Sequence, residues 1–178
     1  MFKNPFQVAV AFSILALCVK LLFFVMEMQH GAAEKYIVYI YMLILLIAIF
    51  FGIRSSKLDI EGGKTTFGQD FKAGARTASF FAILVAVITY VYYAKIDVDF
   101  FEIKKQPILD ALKITAQEKL QTQSKEEVRA FLANQLNGIN MYLSPYFQAM
   151  WTMFGLVFMG LFYSAVFSFM MRKLPGFK

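Results

Sequence analysis

Residues 147–171 read FQAMWTMFGLVFMGLFYSAVFSFMM, 25 positions without a charge. At about 1.5 Å of rise per residue, such a run crosses the roughly 30 Å hydrocarbon core of a bilayer as one helix, with length to spare for tilt. Apolar side chains fill every face, so the run presents no polar stripe to water. Three more runs share this character: 6–26, whose one charge is Lys20, and the uncharged 36–53 and 77–94. Four such runs in 178 residues leave too little chain to bury them as core helices of a soluble protein. The reading is an all-α integral membrane protein: a four-transmembrane-helix bundle forming one membrane domain over 1–178.

Composition agrees. The hydrophobic fraction is 59%, against roughly 45–50% for soluble chains. This excludes a soluble enzyme, a disordered tail and a secreted disulfide scaffold. One cysteine, Cys18, rules out an internal disulfide, and one histidine, His30, rules out a histidine metal cluster. The first run is too long for a cleaved leader, and the Gly31-Ala32-Ala33 stretch after it makes a poor cleavage site.

Lysine and arginine near the helix ends set the threading. With both termini inside, the inner segments hold Lys3, Arg54, Lys57, Lys64, Lys72, Arg76, Arg172, Lys173 and Lys178. The outer side has Lys35 and seven basic residues in the long 95–146 loop, of which roughly four or five in all lie within about 15–20 positions of a span, against all nine inside. Termini on the cytoplasmic side are therefore expected. Tyr36, Tyr39, Tyr90, Tyr92, Tyr93, Tyr142, Tyr146 and Trp151 are expected at a common outer interface, with apolar rings and wet tips.

In the inner link, Glu61-Gly62-Gly63-Lys64 reads as a turn, and Thr66 with Gln69 as a capping box opening a short interfacial helix. Phe67 and Phe71 share a face of it. Gly63-Lys64-Thr65 is no phosphate loop, because Leu58 stands where that motif needs its first glycine. Over 97–144 the sequence predicts a helical hairpin between spans three and four. Its first helix is expected to open at Pro107, and its second at Ser124 with Glu127 closing a capping box. Gly138 and Pro145 punctuate the return. Val128, Phe131, Leu132, Leu136 and Ile139 share one face, which packs on its own partner helix, on the bilayer surface or on a protein partner. Val128, Phe131, Leu132 and Leu136 are the candidate partner surface.

Small residues recur every fourth position: Ala48 and Gly52; Gly74, Ala78, Ala82 and Ala86; Gly160, Ser164 and Ser168. Such stripes let helices approach closely in lipid, within the chain or in a homodimer. Lys20 is the candidate intramembrane polar site. Burial in the bundle and a substrate or proton role are its two readings. Paired carboxylates inside the spans, a nucleophile elbow, Ser-x-x-Lys and metal-ligand spacing are all missing. No catalytic, cofactor-binding or metal residue is assigned, and Asp97 with Asp99 is a weak cation pair at most. The net charge of +6 suits anionic lipid and not nucleic acid.

The stretch Thr66-Phe67-Gly68-Gln69-Asp70-Phe71-Lys72-Ala73-Gly74, with Ile88-Thr89-Tyr90-Val91-Tyr92-Tyr93 and Ile96-Asp97-Val98-Asp99-Phe100, resembles the domain-of-unknown-function 4199 family. These are small four-helix integral membrane proteins, mainly of Bacteroidota. The family-like motif is Phe67, Gln69, Phe71 and Gly74. The resemblance implies the same order of parts over nearly the whole chain and a bacterial inner-membrane address, with the 95–146 loop periplasmic. It implies no activity. The expected role is a non-enzymatic accessory or scaffold subunit of a larger membrane complex, with protein partners or a second copy. The alternative is a lipid- or small-solute-binding protein built around Lys20.

Overall fold

The computed structural model describes residues 2, 4–31, 33–58 and 65–173. These form α1 (Pro5–Val25), α2 (Tyr36–Leu58), α3 (Phe67–Val91), a π-helical turn (Tyr92–Ile96), α4 (Phe100–Lys119), α5 (Lys125–Tyr142) and α6 (Pro145–Lys173), with no strand among them. Helices α1, α2, α6 and α3 with its π turn are each long and apolar enough to cross a membrane. The chain divides into two compact units, Met1–Ile88 with Trp151–Lys178, and Thr89–Met150.

The helix ends follow from local chemistry. Asn4 caps α1, its Oδ1 accepting from the Gln7 N–H at 2.9 Å, and Pro5 occupies the first turn, where its missing N–H costs nothing. At the other end the Glu27 N–H donates to the Phe24 carbonyl and the Met28 N–H to the Phe23 carbonyl, both at 3.0 Å. This is a Schellman motif with glutamate, at φ 54°, in the position usually held by glycine.

In the first unit, one face of each span makes the core: Ala9 and Ala16 of α1, Ile37, Tyr41, Leu45, Ile49 and Ile53 of α2, Ala78, Phe81, Ala82 and Val85 of α3, and Leu156 of α6. The small-residue stripes work inside the chain. A Cβ on Gly52 would overlap Thr77, and one on Gly160 would overlap Ala78. A Cβ on Gly74 would lie 2.7 Å from Ser164 Oγ. With no hydrophobic force between helices in lipid, close backbone approach is what holds α2, α3 and α6 together. The buried hydroxyls of Thr77, Ser164 and Ser168 donate to carbonyls four residues back, and that of Ser55 to the carbonyl three back, so none is left bare.

Several sequence expectations are corrected here. The interfacial helix expected at 66–76 is not separate, since Phe67 opens α3 and the helix runs on without a break. The Gly62-Gly63 turn lies outside the described residues. Pro107 does not open α4, which begins seven residues earlier at Phe100. The reason is burial: Phe100 and Phe101 pack on Tyr93 with ring centroids 4.5 and 5.0 Å away. Two buried phenylalanines contribute roughly 1.5–3 kcal/mol each, enough to offset the about 3 kcal/mol of an internal proline. Gly138 is likewise internal to α5. Pro145 does open α6, with the Ser144 hydroxyl accepting from the Phe147 N–H at 3.2 Å. The Ser124–Glu127 capping box is present in full.

Candidate functional site

The family-like motif sits on the first two turns of α3. Gln69 Oε1 accepts from the Thr66 N–H at 2.8 Å, and the Gln69 N–H returns to Thr66 Oγ1 at 3.3 Å. Phe67 and Phe71, one turn apart, stack with centroids 6.1 Å apart. Gly74 receives Ser164 of α6. The motif thus caps the helix, gives it an aromatic flank and admits a neighbour.

The residue that organises this end lies inside the same family-like stretch, on a face other than that of Phe67 and Phe71. Asp70 is 2% exposed. Its Oδ1 accepts from Thr65 Oγ1 at 2.6 Å, and its Oδ2 lies 3.4 Å from Lys57 Nζ on α2 without an aligned hydrogen bond. The first turn of α3, where the backbone N–H groups leave partial positive charge, adds to the stabilisation. A signal for it existed. Asp70, Ala73, Gly74 and Thr77 follow the i, i+3, i+4, i+7 pattern of one helix face, so the small-residue stripe extends back through the carboxylate.

Lys20 is 4% exposed, on the buried face of α1 with Ala9, Ser13 and Ala16. Tyr41, also 4% exposed, faces the same core from α2, and its hydroxyl has no hydrogen-bond partner among the described residues. Lys20 lies five residues before the end of α1 and Tyr41 five after the start of α2, so the two polar groups occupy one layer of the bundle. Tyr41 drew no attention in the sequence because tyrosines near helix ends ordinarily serve as interface anchors.

In the second unit, Tyr92 and Tyr93 are buried within the protein, without the wet tips expected of them. The π turn explains this: the Asp97 N–H reaches the Tyr92 carbonyl five residues back at 3.0 Å, and the Tyr92 hydroxyl donates to Asp97 Oδ2 at 3.2 Å. Asp97 is therefore turned inward, whereas Asp99 is exposed at the start of α4. Among the described residues no three of His, Cys, Asp and Glu stand together as metal ligands.

Of the four partner-surface residues, Val128 is 2% exposed, inside the hairpin. Phe131 and Leu132 are half-buried, with Lys119 Nζ of α4 4.7 Å above the Phe131 ring. Leu136 is 38% exposed. On the same hairpin Ile103 and Ile114 of α4 and Met141 of α5 are exposed as well.

Four spans with an inserted helical hairpin define an all-helical, multi-pass membrane protein. Residues 7–173 match the family described as Protein of unknown function (DUF4199), and the chain belongs to that family. No curated protein and no solved structure matches it.

Proposed function

We propose that this protein is a non-enzymatic accessory or scaffold subunit of a larger complex in a bacterial inner membrane. In this reading its termini are cytoplasmic and the hairpin stands in the periplasm. The observation that carries the reading is the hairpin surface. Ile103, Ile114, Leu136 and Met141 stay exposed on helices too polar to be spans, and we read them together as one apolar contact surface, since a contiguous exposed apolar patch marks an interaction site. The test is purification of the tagged protein from its native membrane in mild detergent, with mass spectrometry of what accompanies it. A stoichiometric partner is expected, and Ile114→Asp with Leu136→Asp should release it while the spans stay folded. A chain that purifies alone, or a partner indifferent to both changes, would overturn the proposal.

A second reading rests on the Lys20–Tyr41 layer. A tyrosine hydroxyl buried inside the bundle without a partner costs roughly 1–3 kcal/mol, and a bound polar headgroup or solute would relieve that cost. Lys20→Met and Tyr41→Phe should each lower binding of such a ligand in reconstituted vesicles. Full retention in both variants removes this reading.

A further inference from the structure

The net charge of +6 is not spread along the chain. Segments 1–5, 54–76 and 172–178 hold nine basic and three acidic residues, and the remainder holds nine of each. The whole excess therefore belongs to one end of the span bundle, where α2 and α6 finish and α3 begins. There Asp70 is buried against Lys57 and offsets nothing at the surface. Among the described residues at that end, the exposed charges are Arg54, Lys72, Arg76 and Arg172, all positive.

Helix contacts fix their levels. The Gly52–Thr77 approach and the Lys57–Asp70 pair set α2 antiparallel to α3. The Gly74–Ser164 and Ala78–Gly160 approaches do the same for α3 and α6. In this register Arg54 and Arg76 share one level, Lys72 stands about a turn nearer the end, and Arg172 further out still. Both deeper arginines directly flank the uncharged runs 36–53 and 77–94, and both are exposed to the bundle's surroundings. A guanidinium at the edge of an apolar run stands at the level of the headgroups, where an anion is within its reach. A phosphodiester matches its forked donors.

We infer that Arg54 and Arg76, with Lys72 and Arg172 above them, form a binding belt for the phosphate groups of anionic phospholipids in the adjoining leaflet. The purified full-length chain would be reconstituted in nanodiscs of mixed phosphatidylglycerol and phosphatidylcholine, and the lipid that stays bound on detergent extraction would be quantified by native mass spectrometry. Phosphatidylglycerol should be retained preferentially, and rising salt should erode the preference. Each basic residue near an anionic surface is worth about fivefold in binding, so Arg54→Gln and Arg76→Gln should each lower the preference by about that factor. Lys113→Gln with Lys125→Gln, removing two hairpin cations, should leave it unchanged. Equal retention of the two lipids by the wild-type protein would overturn the inference, and this comparison stands even if the arginine variants fail to fold. Equal loss in the hairpin variant, or complete displacement of the lipid by inorganic phosphate, would overturn it too.

Discussion

A carboxylate withdrawn from water needs compensation of several kcal/mol, and removing its partner commonly costs about 3–5 kcal/mol. Asp70 finds that compensation in the Thr65 hydroxyl, the Lys57 ammonium and the first turn of α3. Lys57 keeps 16% of its side chain exposed, which places the expected effect at the lower limit. Lys57→Met should destabilise the protein in detergent by about 3 kcal/mol, read from denaturant titration of helicity. Asp70→Asn in that background should restore most of the loss, because the amide carries no charge to leave stranded. A neutral Lys57→Met would mean that the 3.4 Å approach is proximity without coupling. At this scale the sequence is a partial guide. It singles out Lys20 because a charge inside an apolar run is conspicuous. It does not reveal that Asp70 is buried, because Lys72 and Arg76 follow closely and the stretch reads as surface until the helix face is traced back from Gly74.

Small residues turn a helix into a surface that others can approach, and the same residue type acts in opposite ways at neighbouring positions of α6. A Cβ at Gly160 would overlap Ala78, whereas one at Gly155 would meet nothing within 4 Å. Gly160→Ala should therefore loosen the α3–α6 contact and destabilise the bundle by about 1–3 kcal/mol. Gly155→Ala should raise stability by about 0.5–1 kcal/mol, through backbone entropy alone. Thermal unfolding of both variants in one detergent separates these outcomes, and equal effects would contradict the packing. On the hairpin, the Ser124 backbone N–H, followed by its hydroxyl, hydrogen-bonds the Glu127 carboxylate and lowers its pKa. A depressed pKa means that the cap contributes stability above the unfolded value, near 4.3, and loses it as pH falls through the folded value. Acidification from pH 6 to 3.5 should thus weaken the hairpin more in the wild-type protein than in Glu127→Gln, as read by thermal loss of helicity at each pH. Parallel curves would remove the cap from the pH response. Element identity was legible from hydropathy, capping pattern and stripe spacing. Boundaries were not, because the start of α4 is decided by Phe100 and Phe101 packing on Tyr93, a tertiary contact that overrides the local preference of Pro107.

Across the whole molecule, charge and hydropathy address different questions. Hydropathy places four helices in the bilayer, and it does so from sequence because a spanning run has to satisfy its backbone internally and shed its charges. It says little about sites, because Tyr41, Tyr92 and Asp97 are set apart only by what packs around them. Threading depends on the basic residues near the spans. The nine basic residues of the inner segments stand against roughly four or five on the other side that lie within about 15–20 positions of a span. The expected topology therefore has that loop outside and the C-terminus inside. In a Cys18→Ser background, Gln121→Cys should react with a membrane-impermeant maleimide added to intact spheroplasts, and Lys178→Cys should react only after lysis. Reversed labelling would invert the threading. It would also move the arginine belt to the opposite leaflet, where the cytoplasmic surface potential no longer helps it. Labelling at both sites in intact spheroplasts would contradict the single crossing of α6 that separates residue 121 from residue 178.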